Sequence, residues 1–307
     1  MTVCIAAACE QGSKVVVATD RRISYAGISA DIVAAKMGWI GAAGEWLVMY
    51  AGEPSNTALI LEEIERTAIK EQQVSRGNIQ SVIREAYQKR KGVFSSFAAL
   101  SPYDITLEAF KKNGQRSFGE SEFRRISQEI HQAGSYFREQ LLVVGWGKAP
   151  HAVMIYDIGP DGDRDHRLAG MAAIGSGQEV ALSTMMLFGQ SRDRALAETL
   201  YIVASAKFAS EKSQDDDVGS KTAMAVTWKR TPEDDKEKPT STFLEESQVR
   251  QLYKLWLKYG KPKVSEKTFR PAVEIVKQMG LRASVSNTML RTFMRSSFRK
   301  SKSRNVS

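Results

Sequence analysis

The second residue of the chain, Thr2, carries a hydroxyl and, once Met1 is removed, a free α-amine on the same residue. Its small side chain suits removal of the initiator methionine. An α-amine has a pKa of about 8, so it can accept a proton near neutral pH. A threonine hydroxyl activated by its own terminal amine is a recognised nucleophile–base pair. Taken alone, Thr2 reads as an ordinary second residue, and only the rest of the chain argues otherwise.

Such a pair works only if the terminus is held in place. The opening stretch, MTVCIAAACEQGSKVVVATDRR, has two apolar runs, Val3–Cys9 and Val15–Thr19, on either side of Gln11-Gly12-Ser13. Strand-prone residues flanking a short glycine-containing loop predict a β-hairpin. A strand that begins almost at the first residue buries a terminus that would otherwise fray.

The later segments read as alternating strands and helices. Ile23–Lys36 contains a turn at Gly27. Met37–Ile40 and Trp46–Ala51 form an apolar pair across Gly41–Gly44. Pro54, Ser55 and Asn56 open a helix, and Leu59, Leu61, Ile64 and Ala68 recur at helical spacing over 57–72. A second helix spans about Asn78 to Lys91, with Ile79, Val82, Ile83 and Tyr87 inward. Residues 95–137 form a helical insertion, with helices near Ile105–Lys112 and Glu120–Arg138.

Gln140–Gly145 and Ala152–Asp157 make another strand pair, with a Gly159–Gly162 turn and a short strand at Arg167–Ile174 after it. Helices at about 178–188 and 191–212 precede a last strand, Thr222–Trp228. This order predicts an α+β protein with helices packed on the faces of an antiparallel sandwich.

Composition bounds the class. The 307 residues are 42% hydrophobic and 26% charged, as in a globular protein. No apolar run of eighteen residues predicts a membrane span, and no signal peptide is evident. Three His and two Cys argue against a zinc site, and Cys4 and Cys9 share one strand and do not bridge. A reducing cytoplasm fits this usage. The net charge of +9 is uneven: residues 241–307 hold fifteen Lys and Arg against four Asp and Glu, leaving residues 1–240 at −2. The expected organisation is a body at 2–229, a linker at 230–242 and a basic helical extension at 243–307, with a further helix at Pro271–Met279 and a disordered end.

Five further patterns fall in order along the body: Asp20-Arg21-Arg22 after the second strand, Lys36 before the next hairpin, Ala51-Gly52 at a helix start, Gly175-Ser176-Gly177, and Asp217-Val218-Gly219-Ser220. Singly, each has a plain reading. Asp20 can cap a turn, Lys36 can be a solvated lysine at a strand end, and Ser176 can sit in a simple turn. Asp217 lies in a run of three aspartates. Together with Thr2 the set resembles the proteasome β-subunit family of N-terminal nucleophile hydrolases, and the bacterial peptidases of that fold, over about residues 2–229.

The resemblance implies a four-layer α-β-β-α sandwich. It implies Thr2 as nucleophile, Asp20 and Lys36 beside it, and Ser176, Asp217 and Ser220 around the terminal amine. It also implies Gly52 as the residue whose N–H receives the oxyanion. The activity implied is a threonine peptidase in a self-compartmentalised homo-oligomeric ring, acting on peptides or unfolded protein, with no cofactor. Any unfolding ATPase is then a separate chain. The chain departs from the family spacing near Ser13-Lys14 and between Lys36 and Gly52, and carries Lys221 where glycine is frequent. Two other functions stay open: an amidase on a small amide, since fold does not fix substrate, and a catalytically silent assembly or nucleic-acid-associated protein. The last uses the basic extension, where Tyr253, Trp256, Tyr259, Phe269, Phe293 and Phe298 interleave with Lys and Arg.

Overall fold

The structure, a computed structural model, describes residues 2–25, 28–31, 36–40, 46–70, 79–146, 153–213, 218–229 and 240–260. The expected turns at Gly27 and Gly41–Gly44, the linker over 230–239 and the helix at Pro271–Met279 lie outside the described residues, as do Asp217 and the end of the chain.

Two five-stranded antiparallel sheets form the body. The first has the order β10 (Met171–Ile174), β1 (Cys4–Cys9), β2 (Lys14–Asp20), β11 (Thr222–Trp228), β12 (Ser241–Phe243). The second runs in chain order: β5 (Met37–Ile40), β6 (Trp46–Ala51), β7 (Gln140–Trp146), β8 (Val153–Gly159), β9 (Gly162–Asp165). A small hairpin, β3 (Arg22–Tyr25) with β4 (Ile28–Asp31), stands apart.

The period of two in each strand sorts side chains between cores. In β1, Ile5, Ala7 and Cys9 face one core while Cys4, Ala6 and Ala8 face another. The second of these cores also takes Leu47, Met49, Leu142, Val144 and Ile155 from the other sheet, so it fills the space between the sheets. On its other side the first sheet packs against α4 (Gln178–Leu187) and α5 (Leu196–Ser213). The second sheet packs Trp46, Val48, Leu141, Val143 and Tyr156 against α1 (Pro54–Lys70) and α2 (Ile79–Leu100). Burial on both faces explains why β1 reads as an unbroken apolar run rather than an alternating one.

The helical insertion is larger than the sequence suggests. α2 continues to Leu100, and α3 (Leu107–Gly134) begins after a turn through Asp104. Thr106 caps α3 by accepting the Ala109 N–H at 3.1 Å. Gly119, at φ +75°, breaks α3 at the place where the sequence separates two helices. Ala99, Leu100, Phe110 and Ile126 give this excursion a small core of its own.

Two further expectations change. On α1 Ile64 is buried and Leu61 partly buried, as expected, but Leu59 is 40% exposed and Ile60 is buried in its place; Thr57 is buried as well. At the other end, the body runs to Tyr259 as one compact unit. The expected boundary at 229 falls short because β12 pairs with β11, and α6 (Glu246–Leu255) buries Val249 in the core that α5 lines. Tyr253 near the end of α6 and Trp256 just beyond it pack on Phe208, so Trp256 is spent on packing rather than offered for base stacking. Among the described residues no helix is long and apolar enough to cross a membrane.

The α1 stripe makes a direct test. Ile60→Ala should cost about 2–5 kcal/mol by leaving a cavity, whereas Leu59→Ala should change stability by about 0.5 kcal/mol or less. Paired denaturant titrations of the two variants read the difference, and equal losses would contradict the assigned face.

Candidate active site

Strand register brings the ends of three strands to one place. Cys4 pairs with Thr19 of β2 and with Ile174 of β10. Continuing those ladders by two residues sets Thr2 beside Arg21 on one side and Ser176 on the other. The Thr2 N–H donates to Ser176 Oγ at 3.3 Å, and the Thr2 carbonyl accepts from Ser176 Oγ at 3.4 Å and from the Gly177 N–H at 3.3 Å. Gly175 must be glycine: its φ is +88°, and a Cβ there would stand 2.1 Å from the Thr2 carbonyl oxygen.

Asp20 ends β2 with its side chain fully buried. One carboxylate oxygen accepts the Val3 N–H at 2.9 Å; the other accepts the Arg22 N–H at 3.0 Å and the Lys36 ammonium at 3.1 Å. Lys36 stands in the bend before β5, 4% exposed, its carbonyl accepting the Tyr50 N–H at 3.2 Å. Its Nζ also reaches Thr2 Oγ1. Thr2 itself is 7% exposed. Hydroxyl, ammonium and carboxylate therefore form a buried chain, the arrangement in which a cation stabilises a developing alkoxide and a carboxylate holds that cation in place.

Cys4 is the other nucleophilic group nearby. Burial first, and then the charge of Asp20, push its thiol far above the ordinary range, and its S–H donates to the Tyr50 carbonyl at 3.2 Å. A thiol kept protonated is a poor nucleophile. Cys4 and Cys9 are both free and buried.

Thr2 and Lys36 line a cavity of about 700 Å³, together with Tyr50, Gly52, Gln140 and Ser176. Arg22, Arg138, Glu53 and Asp161 add charges of both signs. Gly52 lies just past the end of β6, two residues before α1 begins, at φ +130°. A Cβ on it would lie 3.0 Å from the Cα of Glu139. The head of a helix has unpaired N–H groups, which can meet negative charge.

Of the residues singled out from sequence, Thr2, Asp20, Lys36, Gly52 and Ser176 converge here. Ser220 is exposed and lines a separate pocket with Arg21 and Lys221, its carbonyl accepting from Lys207 at 3.4 Å. Asp217 lies outside the described residues. Among the described residues, no three His, Cys, Asp or Glu gather as metal ligands would.

Sequence reasoning missed Glu139 and Gln140. Glu139 is 3% exposed, with Oε1 accepting from Asn56 at 2.7 Å and Oε2 buried without a partner. Burial pushes its carboxyl above the usual carboxylate range, against the Asn56 hydrogen bond and helped by Glu53. A polar pair at the mouth of an apolar strand is the only local signal for them.

A raised carboxyl pKa means that the folded state holds the proton more tightly than the unfolded chain. The stability cost is therefore absent below the ordinary carboxylate pKa and complete above the raised one. Glu139→Gln should melt above the wild type at about pH 8, and the gap should close by about pH 4. Thermal melts across that range check this, and a gap that widens on acidification would contradict it.

No protein-family model matches the chain, and no curated protein does. Solved structures do share its fold. A Gly-1 mutant of Anbu from Hyphomicrobium sp. strain MC1 superposes with a TM-score of 0.58 at 13% identity, over 86% of this chain and 98% of that one. Anbu from Yersinia bercovieri, described as an ancestral beta-subunit, gives 0.55 at 14% identity, over 93% and 99%. The chain thus has a proteasome-like α+β fold.

Proposed function

We propose that this protein is a threonine-type N-terminal nucleophile hydrolase that cleaves peptide bonds inside a proteasome-like homo-oligomer. The observation that carries the reading is the buried Lys36 ammonium, set between Thr2 Oγ1 and the Asp20 carboxylate beside a cavity. A four-layer α-β-β-α arrangement belongs with this reading, and the three apolar cores, one between the sheets and one on the outer side of each, support it.

Removal of Met1 leaves Thr2 with a neutral α-amine. Thr2 Oγ1 attacks the substrate carbonyl carbon while the amine takes the hydroxyl proton. Lys36 lowers the cost of the charge on the attacking oxygen, and Asp20 keeps Lys36 charged and oriented. The Gly52 N–H receives the oxyanion of the tetrahedral intermediate. Collapse expels the amine half of the substrate, which takes the proton from the Thr2 ammonium. The acyl half remains as an ester on Oγ1, and a water activated by the same amine hydrolyses it. The hydroxyl of Ser176, 3.3 Å from the Thr2 nitrogen, orients that amine. Charges of both signs around the cavity suit an extended peptide better than a compact amide.

Intact mass after treatment with a threonine-directed electrophile tests the nucleophile and the processing together. The expected product is a single adduct on protein lacking Met1. Thr2→Ala should abolish both adduct and peptide hydrolysis without loss of fold, and Lys36→Ala should slow hydrolysis by about 10²–10³-fold. Protein that retains Met1 should be inactive, because an acylated nitrogen cannot serve as base. Equal turnover by processed and unprocessed protein would falsify the mechanism. For the assembly, light scattering should give a closed multiple of the chain mass, and a monomer at micromolar concentration would remove that part of the reading.

A further inference from the structure

The helical excursion formed by α2 and α3 returns to the second sheet through Glu139 and Gln140, and these two residues touch both glycine turns of the cavity. Gln140 pairs with Ala51 in the β6–β7 ladder, which sets Glu139 opposite Gly52. Gly52 lies against Glu139 so closely that a side chain there would meet its Cα at 3.0 Å and its Cγ at 3.3 Å. The Glu139 carboxylate accepts from Asn56 in the first turn of α1 at 2.7 Å, which ties that helix head to β7. At the other glycine turn, Gln140 Oε1 accepts the Gly175 N–H at 2.7 Å. Gly175 is the residue packed on the Thr2 carbonyl, and it leads into the Ser176 hydroxyl and the Gly177 N–H that grip the Thr2 backbone.

The pair is itself anchored from behind. Tyr87 of α2 is fully buried, and its hydroxyl donates to the Glu139 carbonyl at 2.9 Å. Its ring meets Phe137 edge-on at 5.3 Å, and Phe94 packs on Phe137 at the same separation. The excursion therefore holds the strand start that in turn holds both turns of the site. Gln140 is the acceptor for the Gly175 N–H, and a backbone N–H deprived of its acceptor away from water is costly.

We propose that Glu139 and Gln140 are positioning residues, a brace held by Tyr87 that fixes the distance between the Gly52 turn and the Gly175-Ser176 turn, and so between oxyanion donor and nucleophile. This rests on the threonine-hydrolase reading above. Neither residue touches the reacting atoms. Their contribution is geometric, and small misplacements in such sites are expensive in rate.

The test is steady-state hydrolysis of a fluorogenic peptide by the full chain, with the labelling rate of Thr2 and the melting temperature measured alongside. Gln140→Met keeps the length of the side chain but loses the acceptor, and should lower kcat about tenfold with KM within about twofold. Gln140→Glu keeps an acceptor and should recover kcat to within about threefold of wild type. Tyr87→Phe removes only the hydroxyl behind Glu139 and should lower kcat about threefold, with Thr2 labelling slowed in step. A purely structural role would lower the melting temperature and leave kcat per folded molecule unchanged. If Gln140→Met does not fold, Gln140→Asn, whose acceptor is too short to reach Gly175, carries the same expectation. Wild-type kcat in a folded acceptor-deficient Gln140 variant, or in Tyr87→Phe, overturns the brace. A wild type that neither labels at Thr2 nor cleaves peptide overturns the hydrolase reading instead.

Discussion

One buried carboxylate organises the first half of this protein. Asp20 is out of contact with water, and an isolated carboxylate in that position would cost several kcal/mol. It is tolerated because three donors converge on it: the N–H groups of Val3 and Arg22 and the ammonium of Lys36. Each donor fixes a different segment. Val3 fixes the residue next to Thr2, Arg22 fixes the start of the β3–β4 hairpin, and Lys36 fixes the entry to the second sheet. Removing one member of such a set strands a charge, which costs about 3–5 kcal/mol. Cooperative dependence of this kind is what a site needs if a hydroxyl and an amine must keep their places through a reaction.

The charge on Lys36 is bound up with the same balance. At 4% exposure Lys36 is in contact with the Asp20 carboxylate, so each buried charge has the other as its partner. The Thr2 hydroxyl is a second partner of the same ammonium. Cys4 shows the opposite outcome within the same small region. Desolvation opposes a thiolate there, and the field of Asp20 opposes it further. Lys36 thus bonds directly to the Thr2 oxygen, while at the Cys4 sulfur its field is outweighed by burial and by Asp20.

Much of this is legible in the sequence because it is local or periodic. The hairpin of β1 and β2, the pairing of β5 with β6 and the helices on Ile64 and on Ile83 follow from alternation and helical spacing, while the grouping of Thr2, Asp20 and Lys36 is what the family resemblance of the ordered motifs implies. The features that are not legible depend on contacts between distant segments. Leu59 and Ile60 are both good helix-face residues, and only the position of the second sheet selects Ile60. Gln140 matters because Gly175 comes to it from 35 residues away. Trp256 reads as a solvent-facing aromatic among lysines until Phe208 supplies a surface for it. Ser220 sits in a motif that matches, yet it faces the pocket bearing Arg21 rather than the Thr2 cavity.

The core and the site are linked by parity. In β1 the odd residues face the helices and the even residues face the other sheet. A shift of one residue in its register would exchange the two sets, turning Ile5 toward the space filled by Ala6 and Ala8. Both cores are packed, so neither accepts the exchange without voids and clashes. The register that satisfies the cores is the one that sets Val3 against Asp20, and therefore Thr2 against Lys36. The small residues of β1 sharpen this further, since Ala6, Ala7 and Ala8 fit between two covered faces where larger side chains would not. A chain terminus normally carries no information about its own position. Here the complete burial of Val3 through Cys9 supplies it, so that hydrophobic packing across the sheet is what delivers a hydroxyl to an ammonium at the edge.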